Sequence, residues 1–236
     1  MLIADCQLSI FAALIFGTVA IAQESPTASP SPWPSPTREE TPATSPTRSV
    51  RIRFVPPPVE GTISLGIFDA DKKLVRVLHR EAKIDNFTVE ENSLSTSWDG
   101  KNDAGKDLPP GKYHARGYMV DRRLNVTDVG EPAEPPPSNA SDHIAVKLEV
   151  NPLVSDTRFV VELAVGFDAS GTCLKTMDGL PLRAISQSAN VVHASITKRG
   201  DTVANVWEES GARIERFQLV NIHAMMAFDC GDFELK

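Results

Sequence analysis

The stretch GTISLGIFDADKKLVRVL, residues 61–78, decides the fold class. Apolar residues alternate with small or polar ones along its first eight positions, at Ile63, Leu65 and Ile67. This period of two is typical of a half-buried β-strand. Residues 69–73 form a polar break of hairpin length, and the apolar run at 74–78 predicts a second strand. The stretch therefore predicts an antiparallel hairpin and, with it, an all-β protein.

Downstream of this hairpin, short strands continue to alternate with dense turn signals. The run STSW at 95–98 predicts a third strand, and its tryptophan is the natural large side chain of a core. Turn formers follow at 99–105 and again at 109–111, before a strand predicted for 112–120. Short strands at this spacing predict a β-sandwich for residues 50–128.

Five short motifs stand in a definite order within this region. They are Phe68-Asp69, Leu74-Val75-Arg76, Trp98-Asp99-Gly100, Asn102-Asp103-Ala104-Gly105 and Pro109-Pro110-Gly111-Lys112-Tyr113. Together they resemble the Ig-like domain of FlgD, the flagellar hook-capping protein family, over residues 60–120; related modules occur in many exported bacterial proteins. The resemblance implies an Ig-like β-sandwich and a non-enzymatic scaffold or adhesion role. The chain departs from the family in its first turn, where Lys72 replaces the usual Gly, and in a long connection that lacks the usual Gly before the third strand.

A Pro-rich break, GEPAEPPPSNAS, follows the first region, and residues 129–141 are predicted to be an inter-domain linker. Beyond it, residues 142–236 predict a second β-rich domain, for which no family is recognised. Its strands are predicted at 143–150, 158–167, 173–176, 182–185, 190–197, 202–207 and 212–219, with an apolar core segment at 222–228. A weak internal echo suits either an antiparallel meander or two propeller-like blades. The meander is preferred because two blades cannot close a ring.

The first 49 residues predict targeting and a spacer. The apolar run at 8–21 is short for a membrane span and fits a signal peptide of residues 1–22. Because no Lys or Arg precedes this run, an uncleaved anchor or a misassigned start codon is the alternative. Residues 23–49 are rich in Pro, Ser and Thr, and are predicted to be a disordered linker. The chain is therefore expected in the periplasm, at the cell surface or outside the cell. Hook-capping proteins need no cleavable signal, so a flagellar role is not implied.

The net charge and the cysteine content limit which partners and which cross-links are expected for this protein. A net charge of −7 and the absence of any Lys/Arg run argue against a nucleic-acid partner. No transmembrane span is predicted once the signal is removed. The mature chain keeps two cysteines, Cys173 and Cys230, which an oxidising compartment would allow to pair. A disulfide and two buried free thiols are both compatible with the sequence.

No group of chemically active residues amounts to a predicted active site. Three histidines lie far apart and outside any metal-ligand spacing: His143, His193 and His223. Four aspartates in or near turns would supply an acid/base pair only if the fold brought two of them within about 5–10 Å. They are Asp168, Asp178, Asp229 and Asp232. A nucleophile elbow, a Gly-rich phosphate loop and a C-x-x-C motif are absent from the sequence. No catalytic, cofactor-binding or metal-ligating residue is therefore assigned.

Three smaller motifs have simple structural explanations. The 99–105 loop places Lys101 at the second ligand position of a calcium loop, where its charge opposes Ca²⁺. The tripeptide Arg199-Gly200-Asp201 falls in a predicted hairpin turn, which favours Gly-Asp for its own reasons. Acceptor sequences for N-glycosylation begin at Asn86, Asn125 and Asn139, and are interpreted as incidental.

These observations favour a non-enzymatic exported scaffold or binding protein, whose partner is a protein or a cell-envelope polymer. The alternatives are a small envelope enzyme that uses two carboxylates, such as a carbohydrate hydrolase, and a purely structural stalk component. The enzyme would show a pocket with two close carboxylates of separated pKa. The binding protein would show exposed apolar surface on a sheet face or edge strand, and the stalk would show neither.

Overall fold

Antiparallel strands follow one another from residue 50 onward in the computed structural model, which describes residues 48–153 and 160–236. Within these ranges the only helical element is one 3₁₀ turn at Ile84–Asn86. The all-β fold class predicted from the sequence is confirmed. The signal peptide predicted for residues 1–22, and all of the linker except its last two residues, lie outside the described residues.

The described strands group into four antiparallel sheets. The strands are β1 (Val50–Phe54), β2 (Gly61–Phe68), β3 (Leu74–Ala82), β4 (Thr88–Glu90), β5 (Ser93–Trp98), β6 (Gly111–Asp121), β7 (Asn125–Gly130), β8 (His143–Lys147), β9 (Val160–Asp168), β10 (Gly171–Thr176), β11 (Pro181–Ala184), β12 (His193–Arg199), β13 (Val203–Ser210), β14 (Arg213–Val220) and β15 (Met225–Leu235). The first sheet has the order β1-β5-β4, and the central sheet has the order β15-β6-β2-β3. The third sheet is β12-β13-β14-β7, and the fourth is β11-β10-β9-β8.

The central sheet has a hydrophobic core on each of its faces, and the two cores are different. On one face, Ile63 and Leu65 of β2 pack with Trp98 of β5 in the first core. On the opposite face, Tyr118 and Val120 of β6 join the second core, which the third and fourth sheets also line. The half-buried strand predicted at 61–68 is therefore wrong in one respect. Its last six residues are buried on both sides, since a second layer covers the face expected to meet solvent.

Two strand pairings join the regions on either side of the domain boundary that the sequence predicted at residues 129–141. β15 lies far beyond that boundary but pairs with β6 along its length, from Met225 opposite Val120 to Leu235 opposite Gly111. β7 begins before the boundary, ends just inside it at Gly130, and pairs with β14. The described residues form one compact unit, and the two predicted regions share sheets within it.

A β-bulge in β15 sets which of its side chains enter the first core. Asp229 lies opposite Arg116 and Gly231 opposite Ala115, so Cys230 is the extra residue. An inserted residue reverses the alternation of side chains along a strand. Phe228 before the bulge and Leu235 after it therefore face the same core, although their numbers differ in parity.

The second region is built as two meanders. Consecutive strands β8 to β11 form the fourth sheet, and β12 to β14 form most of the third. The meander predicted for this region agrees with this strand order. The thiols of Cys173 on β10 and Cys230 on β15 are both free in the structure, with Cys173 buried and Cys230 partly exposed. Because these two strands belong to different sheets, no ladder brings the two thiols together.

The Pro-rich segment 131–140 links opposite edges of the third sheet. Gly130 pairs with Arg216, Arg216 with Trp207 and Trp207 with Ser195, and the next backbone pair in this row joins Ser141 to Ile196. The inner face of the sheet is filled by the second core. Trp207, on the opposite face, is only 5% exposed. The predicted inter-domain linker thus connects the two edge strands of one sheet.

Two turns near the ends of the first core share one hydrogen-bond pattern. In residues 69–73, Asp69 Oδ1 accepts the N–H groups of Asp71 and Lys73. In residues 102–106, Asn102 Oδ1 accepts those of Ala104 and Lys106 in the same way. The fourth residue of each turn is left-handed, with φ of 63° at Lys72 and 74° at Gly105. The chain therefore departs from the FlgD-type motif at a position where the backbone favours glycine.

Lys72→Gly is expected to raise the free energy of unfolding by up to about 1 kcal/mol. Left-handed backbone costs a non-glycine residue about 1–2 kcal/mol, and the higher entropy of glycine in the unfolded chain offsets part of the gain. The matched change Gly105→Ala should lower the free energy by about 1 kcal/mol through backbone strain alone, because its new Cβ meets no atom within 4 Å. Urea denaturation measures both variants. A lower free energy of unfolding in Lys72→Gly would contradict the claim that the backbone at Lys72 is strained.

Candidate functional site

A cleft of about 480 Å³ lies where β2, β6 and β15 meet. Its lining includes Phe68, Lys72, Lys112, His114, Arg116 and Asp232. Residues 112, 114 and 116 alternate along β6, so their side chains lie on one face of the central sheet. This is the face on which Tyr118 and Val120 enter the second core. The cleft is thus the continuation of that face beyond the cover supplied by the third and fourth sheets.

An arginine stacked on a phenylalanine forms the floor of the cleft. The guanidinium carbon of Arg116 lies 4.1 Å from the ring centroid of Phe68, a cation–π geometry. Arg116 also donates to Asp178, which stands in the turn between β10 and β11. The hydroxyl of Thr176 donates to the other carboxylate oxygen of Asp178. These contacts fix the guanidinium between the central and fourth sheets.

His114 is held between two carboxylates of β15. Its Nδ1 lies 2.7 Å from Asp232 Oδ1, and its Nε2 lies 3.0 Å from Asp229 Oδ2. Each ring nitrogen of His114 thus has a carboxylate partner on β15. The contacts tie β6 to both sides of the bulge in β15.

The fold brings three of the four aspartates that the sequence marked to basic side chains of β6. Asp229 and Asp232 contact His114, and Asp178 contacts Arg116. The fourth, Asp168, is the last residue of β9, and its Oδ1 accepts the Ser170 N–H. Asp229 and Asp232 reach His114 because β15 returns to pair with β6, which the local pattern did not predict.

The histidines singled out from the sequence lie outside the cleft. Each has a carboxylate neighbour, at 2.7 Å for His143, 3.3 Å for His193 and 3.8 Å for His223. Those partners are Asp142, Glu209 and Glu149. Among residues 48–153 and 160–236, no group of three or more His, Cys, Asp or Glu side chains has a metal-binding arrangement.

Sequence reasoning missed the basic residues of the cleft. Lys112, His114 and Arg116 occupy alternate positions of a strand whose limits were predicted almost correctly. On one face of this strand, the alternate residues 112–116 are basic, whereas Tyr118 and Val120 are buried in the second core. This change along one face indicates a sheet face that is covered over only part of its length. Lys72 and Lys112 have no ion-pair partner among the described residues. Both lysines at the rim of the cleft therefore carry a positive charge that no ion pair among the described residues neutralises.

Exposed apolar side chains are spread over separate elements and do not favour another site. Val89 lies on β4, Phe167 on β9, and Val192 before β12. Single exposed apolar residues are normal on protein surfaces. The Arg199-Gly200-Asp201 turn joins β12 to β13, and Asp201 is paired with Lys198 at 3.5 Å.

Glu208 on β13 is the most enclosed carboxylate in the described part of the chain. The residue is 1% exposed, and burial raises the pKa of its carboxyl above the usual range. The Ser186 hydroxyl donates to Glu208 Oε2 at 2.8 Å, while Oε1 has no hydrogen-bond partner. A raised pKa often marks an active site. Enclosure on this scale keeps Glu208 from any substrate, so its effect falls on stability.

Glu208→Gln is expected to make the protein more stable at pH 8 and to leave its stability near pH 4 almost unchanged. A carboxyl whose folded pKa is raised contributes stability that is complete below the unfolded pKa of about 4.3, and that is lost as the pH rises through the folded value. Each unit of that rise corresponds to about 1.4 kcal/mol. Urea denaturation across pH 4–8 measures the effect.

The control for this variant is Glu209→Gln, at the neighbouring half-buried position beside His193. The control should keep the wild-type decline in stability between pH 4 and pH 8. A decline of the same size in Glu208→Gln would show that Glu208 is not its source.

A scan against protein-family models, a search of curated proteins and a search of solved structures each returned no match. The likeness to the FlgD-type module therefore rests on the motif residues quoted above. Within the described residues, no helix has the length and apolar character needed to span a bilayer.

Proposed function

We propose that this chain is a non-enzymatic exported scaffold or binding protein that carries a FlgD-like Ig-like module. Its binding surface is the cleft over β2, β6 and β15. The observation that carries the proposal is an open, charged cleft whose only histidine has both nitrogens bound by carboxylates. Such a cleft offers contacts to a partner but no free general base.

The positions of the motif residues support the FlgD-like part of the proposal. The buried indole of Trp98 donates from Nε1 to the Lys101 carbonyl at 2.8 Å. The Tyr113 hydroxyl donates to the Pro109 carbonyl at 2.8 Å, as the tyrosine of a tyrosine corner does. The two rings meet edge to face at 5.2 Å. These contacts give the motif a structural role at the end of the first core.

Export is supported by the N-terminal sequence, which combines a signal-like apolar run with a Pro/Ser/Thr-rich spacer. A partner is proposed to be a protein or an envelope polymer. The competing carboxylate hydrolase is favoured only by the meeting of Asp229 and Asp232. Both carboxylates bind the same imidazole, so neither is free to act as the acid of a hydrolase.

The proposal is tested by affinity capture from cell-envelope extract, with bait that begins at Gln23. A bait shortened before β15 is unsuitable, because it removes the edge strand of the central sheet. The test variant is His114→Ala with Arg116→Ala, and the control is Arg122→Ala, which removes a surface ion pair to Glu60 outside the cleft. We expect a stoichiometric partner with wild-type and control baits, and at least tenfold less with the test variant.

Circular dichroism establishes that all three baits are folded before they are compared. Equal capture by the test variant would move the binding surface away from the cleft. Background capture by every bait would remove the support for a binding protein.

A further inference from the structure

We infer that the cleft holds an anionic group, a carboxylate or a phosphate, between Lys72 and Lys112 above the Arg116–Phe68 floor. The inference rests on the proposed binding role of the cleft and adds the chemical class of the ligand. It follows from three observations: the charge left over after internal pairing, the strained backbone at Lys72, and the size and floor of the cleft.

Two of the charged groups that line the cleft are already paired within the protein. Asp232 is bound by His114, and Arg116 is bound by Asp178. Asp69 also lines the cleft and keeps its negative charge, because the two backbone N–H groups that its Oδ1 accepts are neutral. The two lysines of the rim have no ion-pair partner among the described residues. A ligand that enters between them therefore meets two unpaired ammonium groups, against the one unpaired carboxylate of Asp69.

The two turns with the same hydrogen-bond pattern differ in the residue at their left-handed position. The turn at 102–106 does not line the cleft and has glycine at its left-handed position, Gly105. The turn at 69–73 lines the cleft and has Lys72 there, with φ of 63°. Non-glycine residues in such conformations cost free energy and are concentrated at binding and active sites. A lysine thus occupies this position at the rim of the cleft at a cost in stability.

The shape of the cleft limits the ligand to a small body. Its volume of about 480 Å³ lies in the range typical of small-molecule sites. The floor combines an apolar ring with a planar guanidinium, the surface on which a flat or ring-shaped group packs. An acidic sugar unit fits this description, and so does a phosphate attached to a polymer unit. The shared chemistry is one anionic group on a compact body.

The test is a titration of isotope-labelled protein by NMR, with three probes at low ionic strength. Digalacturonate supplies carboxylates on sugar rings, inorganic phosphate supplies the phosphate alone, and cellobiose is the neutral disaccharide. We expect at least one anionic probe to shift the amides of residues 69–73 and 112–116 saturably, and cellobiose to leave them in place. The affinity should fall as salt is added, because the rim charges are exposed. Which of the two anionic probes binds identifies the source of the anion.

Substitutions of the lysines distinguish an effect of their charge on ligand binding from an effect on the fold. Lys72→Gln with Lys112→Gln should raise the Kd at least tenfold, about 1.4 kcal/mol. Lys73→Gln, the next residue of the same turn but not part of the cleft lining, should change the Kd by less than twofold. Lys72→Gly should weaken binding while it stabilises the fold, a combination that a purely structural lysine would not produce.

Equal shifts with cellobiose, no shift with either anion, or an unchanged Kd in the double variant would each overturn the inference. Thermal melting establishes that every variant is folded. Failure of this titration, together with successful envelope capture that depends on the cleft, would reject only the anionic ligand. Failure of both would reject the cleft as a binding surface.

Discussion

The pairing of β15 with β6 is the contact on which both hydrophobic cores depend. β15 supplies Phe228 and Leu235 to the first core, and Met225 and Ala227 to the second. It also places the two aspartates that hold His114. A strand with side chains in two cores cannot shift by one residue without exchanging its entire faces. The bulge at Cys230 is therefore part of the register, since it lets both halves of the strand face correctly.

The local elements of the first region were predictable because their signals are short in range. Alternation and turn formers located β2, the start of β3, β5 and β6 with small errors at their ends. β7 was missed, since Asn125–Gly130 has few apolar residues and owes its strand conformation to pairing with β14. Tertiary context of this kind overrides local pattern. For the same reason, the sequence pattern did not predict that a second layer covers the other face of the central sheet.

The cleft illustrates why the site was harder to predict than the fold. Its aspartates and its histidine lie more than a hundred positions apart in the chain and meet through one long-range ladder. No local motif encodes such a meeting. What the sequence did contain was the basic alternation at Lys112, His114 and Arg116, and the unusual lysine in a turn that resembles one built with glycine. Both features point to a cleft only once the structure shows that this face of the central sheet is partly uncovered.

The order of the strands along the chain has a consequence for folding. β2, β3 and β6 are synthesised early, yet the sheet they form receives its fourth strand only after all the other described strands have been made. Until then the edge of β6 is open, and the space that Phe228 fills in the first core is vacant. Contacts between distant parts of a chain slow folding, and open strand edges invite wrong partners. We therefore expect the chain to be prone to association until β15 has paired with β6.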